Sequence, residues 1–194
     1  MKKYFCFISI AILLNACVSM SMKTLYKLAT TDPMTVDPVQ LRAAVRMPEW
    51  LLPKPDSVKL DLTSTLEGER PMIEHFILEP IPAALEGRAL QSENKTGYAL
   101  YAYRMSPHDI PRFLQFRNDV KARKAKSSKV AGGTIGVSAE ACRKSALPEG
   151  ALLISSYLRF ETEMDYVPLV VDYDIKKSVK EQDLASQIPI CGKK

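Results

Sequence analysis

From residue 58 to residue 62 the chain switches between apolar and polar positions at every step. Val58, Leu60 and Leu62 fall on one side and Lys59 and Asp61 on the other; after Leu66-Glu67-Gly68-Glu69-Arg70 a second, more apolar strand stretch runs from Pro71 to Ile81. Successive side chains on a strand point to opposite faces, so the pattern predicts a hairpin with Gly68 in its turn, ended by Pro80 and Pro82. "TGYALYAYRM", 96–105, predicts a third strand, with Tyr98, Leu100 and Ala102 on one face and Tyr101 and Tyr103 on the other. "TIGVSAEAC", "ALLISSYLRFET" and "YVPLVVDYDI" predict three more. Upstream, Leu41, Ala43, Val45 and Met47 alternate with Gln40, Arg42, Ala44 and Arg46, which favours a half-exposed strand. Asp37-Pro38 also suits an N-cap followed by proline at the first position of a short helix.

One stretch has helical spacing. Ser106-Pro107-His108-Asp109 reads as a capping box, and Ile110, Phe113, Leu114 and Val120 then line one face, with Arg117 interrupting the stripe. Residues 83–95 read as a polar loop with room for a helical turn, and 176–187 as a polar tail. Six or seven strands, short turns and one helix predict a mainly β fold. Its expected form is an antiparallel β-sandwich with one inserted amphipathic helix; an α+β arrangement, a sheet backed by that helix, is the alternative.

The N-terminus has a different pattern. Lys2 and Lys3 precede Tyr4 to Leu14, an uncharged apolar run. As a helix it would span roughly 16 Å, about half a bilayer's hydrocarbon core, too short for a stable span and suited to a signal peptide. Leu14-Asn15-Ala16-Cys17 follows. This resembles the lipobox of bacterial lipoproteins, a branched residue three before the cysteine and a small one just before it. The resemblance implies a cut before Cys17, a diacylglyceryl group on its sulfur and acylation of its new amino group. Two or three acyl chains hold a protein on a membrane where one does so only marginally. Val18, rather than Asp, follows the cysteine, which in enteric-type bacteria implies outer-membrane sorting, facing the periplasm. The expected organisation is a signal peptide at 1–16, a lipidated tether at 17–36 and a single β-rich periplasmic domain at 37–194.

Processing changes the charge balance. Losing Lys2 and Lys3 takes the 27 basic residues to 25 against 22 acidic ones, so a net +5 becomes +3. The sequence pI of about 9.0 therefore overstates the case for a polyanion partner. Nucleic acid is excluded by compartment. With Cys6 removed and Cys17 lipidated, Cys142 and Cys191 remain in an oxidising compartment, and a disulfide between them is expected to pin the C-terminal tail.

The sequence names no catalytic chemistry. His75 and His108 have no partner at metal-ligand spacing, and Asp172 to Asp174 lacks a calcium-loop pattern. "GVSAE" around Ser138 lacks the second glycine of a nucleophile elbow, and "GGTIG" is no phosphate loop. Glu161 and Glu163 have no spacing that separates an acid from a base. No metal or cofactor is expected, and the reading is not an enzyme. Two surface features remain. Lys121, Arg123, Lys124, Lys126 and Lys129 form a basic tract suited either to a solvated helix end or to contact with an anionic surface. Tyr98, Tyr101, Tyr103, Tyr157, Tyr166 and Tyr173 would form an aromatic platform only if they shared an exposed face.

Leu25 to Pro48 also resembles the start of uncharacterised proteobacterial lipoproteins, through its Leu-Ala-Thr…Asp-Pro run and Arg-flanked strand. That family carries no assigned activity. Together these features predict a non-catalytic lipoprotein, held on the membrane through Cys17, that binds an envelope protein or a cell-wall or membrane component. The alternatives are an accessory subunit of an envelope transport or secretion complex and an enzyme with an unrecognised site.

Overall fold

A computed structural model describes residues 35–127, 129, 131–161, 165–179 and 181–192, with the side chains of residues 181 and 182 excepted. The expected signal peptide, Cys17 and the expected tether up to residue 34 lie outside the described residues, as does Glu163.

The fold is mainly antiparallel β with an inserted helix. The strands are β1 (Arg42–Pro48), β2 (Leu51–Pro53), β3 (Lys59–Leu66), β4 (Met72–Ile81), β5 (Tyr98–Met105), β6 (Ala131–Ser138), β7 (Ala141–Arg143), β8 (Leu153–Arg159) and β9 (Val167–Asp174). Seven form one sheet in the order β6-β3-β4-β5-β1-β8-β9, and β2 and β7 form a separate two-stranded sheet. The hairpin expected over 58–81 is β3 and β4, with Gly68 in its turn at φ 71°. Its outer half stays with β3 while Leu78–Ile81 pair with β5, so β4 joins two parts of the sheet.

A long helix, α2 (Ile110–Ala125), lies across one face. Phe76 on β4 meets Phe113 and Phe116 edge-on, with ring centroids 5.5 and 6.2 Å away. Ala43, Val45, Met47, Leu60, Leu78, Tyr103 and Leu158 complete this main core from the strands. Sequence spacing identified Phe113 and Val120 but not Phe116, which is also buried. Arg117, the residue that interrupts the stripe, reaches back to donate to the Val36 carbonyl at 2.9 Å.

The helix begins differently from the expected capping box. Asp109, not Ser106, occupies the N-cap, and Pro111 stands in the first turn. Ser106 instead donates its hydroxyl to Glu79, and Asp109 accepts the Ile77 amide at 2.6 Å. The tertiary partner on β4 outcompetes the local cap.

β1 also departs from expectation: it is buried on both faces. Its second face, with Ala44 next to Ala102 and Tyr157, is covered by a strap made of a 3-10 turn (Ala83–Glu86), a short helix α1 (Gly87–Leu90) and a second 3-10 turn (Gln91–Glu93). The tail forms a short helix, α3 (Glu181–Gln187), whose Leu184 enters the main core. Cys142 and Cys191 form the expected disulfide. It does not act alone: the Arg143 amide donates to the Pro189 carbonyl, the Cys191 amide donates to the Arg143 carbonyl, and Arg143 Nε donates to the Ile188 carbonyl.

Candidate functional site

Two places gather charge. The first lies beneath the strap. Antiparallel register sets Arg104, Arg42 and Arg159 side by side across β5, β1 and β8, and Glu79 continues the row on β4. Like charges directly opposed on a sheet are destabilising. Glu86, buried on the strap, answers them: its carboxylate lies 2.9 Å from Arg159 and 3.6 Å from Arg42. The Tyr166 hydroxyl donates to the same carboxylate at 3.3 Å, and burial, with Glu86 beside it, pushes that phenol well above its ordinary range.

Two rows further along the same face, past Ala102, Ala44 and Tyr157, Leu100, Arg46 and Ser155 are in register. Arg46 is buried and donates to the Glu93 carbonyl at 2.9 Å, and to Ser155 Oγ and Asp172, each at 3.0 Å. Lys95 also reaches Asp172 at 3.1 Å. Burial alone would raise the Asp172 carboxyl, but Lys95 and Arg46 outweigh it and hold it below the ordinary range. Asp172 has φ 47°, in the left-handed region, and its amide donates to Ser155 Oγ. The Tyr157 hydroxyl has no partner of hydrogen-bonding geometry among the described residues; burial, with the Glu93 carboxylate close by, raises its pKa strongly. In this cluster each carboxylate is matched to cations, and the arrangement ties the strap and β9 to the sheet.

The second place is the C-terminal end of α2 with the strand that follows. Lys121, Lys124 and Lys126 are exposed and have no ion pair among the described residues. Arg123 is different: it donates to Glu69 at 2.8 Å and to the Arg70 carbonyl at 3.0 Å, which draws the Glu69 carboxyl below its usual range. Lys129 lies 3.8 Å from Glu69. Structure thus divides the predicted tract into three solvated lysines and two residues anchoring it to the β3–β4 turn.

Beyond this end, β6 runs along β3 in eight in-register pairs, from Leu66↔Ala131 to Lys59↔Ser138. Gly133 is required there, because a β-carbon would come within 2.5 Å of the Thr63 carbonyl oxygen. Thr65, Leu66, Glu67, Ala131 and Gly132 line a shallow depression at the same end.

The other sequence candidates scatter. His75 is exposed and sits 2.6 Å from Asp61 across the hairpin. Ser138 ends the exposed strand β6. Asp174 accepts the Leu152 and Lys176 amides. The tyrosines form no platform: Tyr103, Tyr157 and Tyr166 are buried, in two different cores, and Tyr173 is exposed. Among the described residues, no group of three or more His, Cys, Asp or Glu side chains is placed to hold a metal ion, and no helix is long and apolar enough to cross a membrane. The sequence singles out neither Glu86 nor Glu93, and Asp109 only as the end of a capping box. The available signal was Arg42 and Arg46 in an otherwise apolar strand, since buried cations require counter-charges. Comparison with protein-family models, curated proteins and solved structures found no match to this chain.

Proposed function

We propose that this protein is a non-catalytic envelope lipoprotein, anchored through Cys17, whose β-rich domain binds an acidic partner through the basic end of α2. The observation that carries the binding half is the division of the basic tract. Arg123 and Lys129 are committed to Glu69, while Lys121, Lys124 and Lys126 project into solvent around the last turn of the helix. Cations near an acidic surface contribute roughly 1 kcal/mol each and are screened by salt. The anchoring half is supported by Leu14-Asn15-Ala16-Cys17 behind its short apolar run.

The test has two parts. Protein extracted from envelopes is expected to have the mass of residues 17–194 plus acyl chains; an unprocessed or lipid-free chain overturns the anchor. Replacing Lys121, Lys124 and Lys126 by Gln should lower sedimentation with anionic vesicles or isolated cell-wall polymer at low salt and leave the melting temperature unchanged. Unchanged sedimentation with both overturns the basic end as the binding surface.

A further inference from the structure

The two edges of the main sheet are built to opposite rules. β9, at one edge, carries devices that discourage further pairing. Its register with β8 is broken by irregularities, Pro168 removes an amide, Asp172 turns the backbone to φ 47°, and Asp172 and Asp174 bring charge. Proteins blunt exposed edges in these ways because an unpaired row of N–H and C=O groups is a template for another strand. β6, at the other edge, has none of them. Its eight residues, Ala131-Gly-Gly-Thr-Ile-Gly-Val-Ser138, contain no charge and no proline, and its pairing with β3 runs without a break. No strand among the described residues pairs with its outer side, and Ala131 to Thr134 are exposed. Glycines at 132, 133 and 136 keep side chains from screening the backbone.

Charge selects the occupant. Lys124, Lys126 and Lys129 stand just before β6, and Lys59 is paired with Ser138 at its far end. Lys54 lies beyond, on Glu140. Lys129 is shared with Glu69, and Lys54 and Lys59 with Glu140, so the excess positive charge sits at the Lys124–Lys126 end. A second copy of this chain laid along β6 would add its own cations to that excess, whereas an acidic segment would neutralise it.

We propose that the outer edge of β6 is a docking site for an extended acidic segment of a partner protein, which adds to the sheet as an eighth strand. Main-chain hydrogen bonds supply the affinity in this mode, and the flanking lysines supply the selectivity. The proposal rests on the partner-binding reading above and is independent of the anchor.

The test uses the full chain with a defined probe, the peptide Glu-Glu-Thr-Val-Thr-Val-Thr-Val-Glu-Glu, a second with lysines in place of the glutamates, and a third with proline at the central threonine. Hydrogen exchange of residues 131–138 is expected to slow at least tenfold with the acidic peptide and to be unchanged with the other two. Thr134→Glu, which puts a like charge on the exposed edge, should weaken binding of the acidic peptide at least tenfold and leave the circular dichroism unchanged. Equal protection by the lysine peptide, or none by any peptide, overturns the proposal. So does slowing in the free protein that grows with its concentration, since the occupant is then a second copy. A benzophenone side chain introduced at position 121 or at position 134 of the envelope-bound chain separates the two readings. An inactive edge with protein crosslinks from position 121 removes the docking site alone, and no crosslink from either position removes the partner as well.

Discussion

Asp109 shows how much one side chain can hold together here. Its side chain is 3% exposed, one carboxylate oxygen accepts the Ile77 amide at 2.6 Å, and the other accepts Arg112 at 2.7 Å. Arg112 continues to Glu74 on the same strand, so Asp109 and Arg112 together fasten the start of α2 to β4. Burial by itself would raise the Asp109 pKa; the Ile77 amide and the Arg112 guanidinium outweigh it and hold it below the ordinary value. A depressed carboxyl contributes stability that is fully present above the unfolded value, about 4, and is lost as pH falls through the lower folded value. Asp109→Ala should therefore cost about 1–3 kcal/mol near neutral pH, by leaving an amide and a cation without their acceptor. In urea titrations the gap between wild type and variant should narrow below pH 4. A gap that stays constant down to pH 2 would show that the charge of Asp109 contributes nothing.

At the scale of elements, the strap and α2 cover opposite faces by different means. α2 covers its face with Phe113, Phe116 and Val120, an apolar seam of the kind sequence spacing announces. The strap contributes Leu90 with Ala83 and Ala89, and is held by Glu86 set against Arg42 and Arg159 and by Arg46 on the Glu93 carbonyl. Removing one partner of a buried charged group costs about 3–5 kcal/mol, because the remaining charge is left uncompensated. Glu86→Ala should lower stability by about that amount, and amide exchange over residues 83–90 should accelerate well before that of β3 and β4. Uniform acceleration across the whole sheet would show instead that the strap does not open separately. Legibility follows the same division. A strand's alternation lies in neighbouring residues, so β3, β4, β5, β8 and β9 could be read directly. The covering of β1 depends on a segment that starts 35 residues after its end (Pro48 to Ala83), and alternation alone left that face exposed.

For the molecule as a whole, the disulfide links a strand of the small sheet to the last described residues. A bridge closing a loop of this size, Cys142 to Cys191, stabilises by up to about 4 kcal/mol in the chain-entropy model. Replacing both cysteines by Ser should lower the unfolding free energy by about 2–4 kcal/mol, a midpoint shift on the order of 1–2 M urea. The tail itself should stay docked, since Leu184 and Ile188 remain buried and the backbone bonds around Arg143 do not need the sulfurs. A tail that becomes protease-sensitive in the double variant under native conditions would show that the bridge alone holds it.

The sequence by itself determined the class of fold, six of the long strands including β1, the amphipathic helix and the Cys142–Cys191 pair, because each is written in local periodicity or in a small count of cysteines. Only the tertiary structure decided that β1 is buried on both sides, that Asp109 rather than Ser106 stands at the N-cap position of α2 and bonds to β4, that Glu86 serves two arginines and that β6 is left at an open edge. Those outcomes depend on which distant segments meet. A buried carboxylate or an unpaired strand edge is defined by its neighbours in space, and no window of adjacent residues contains them.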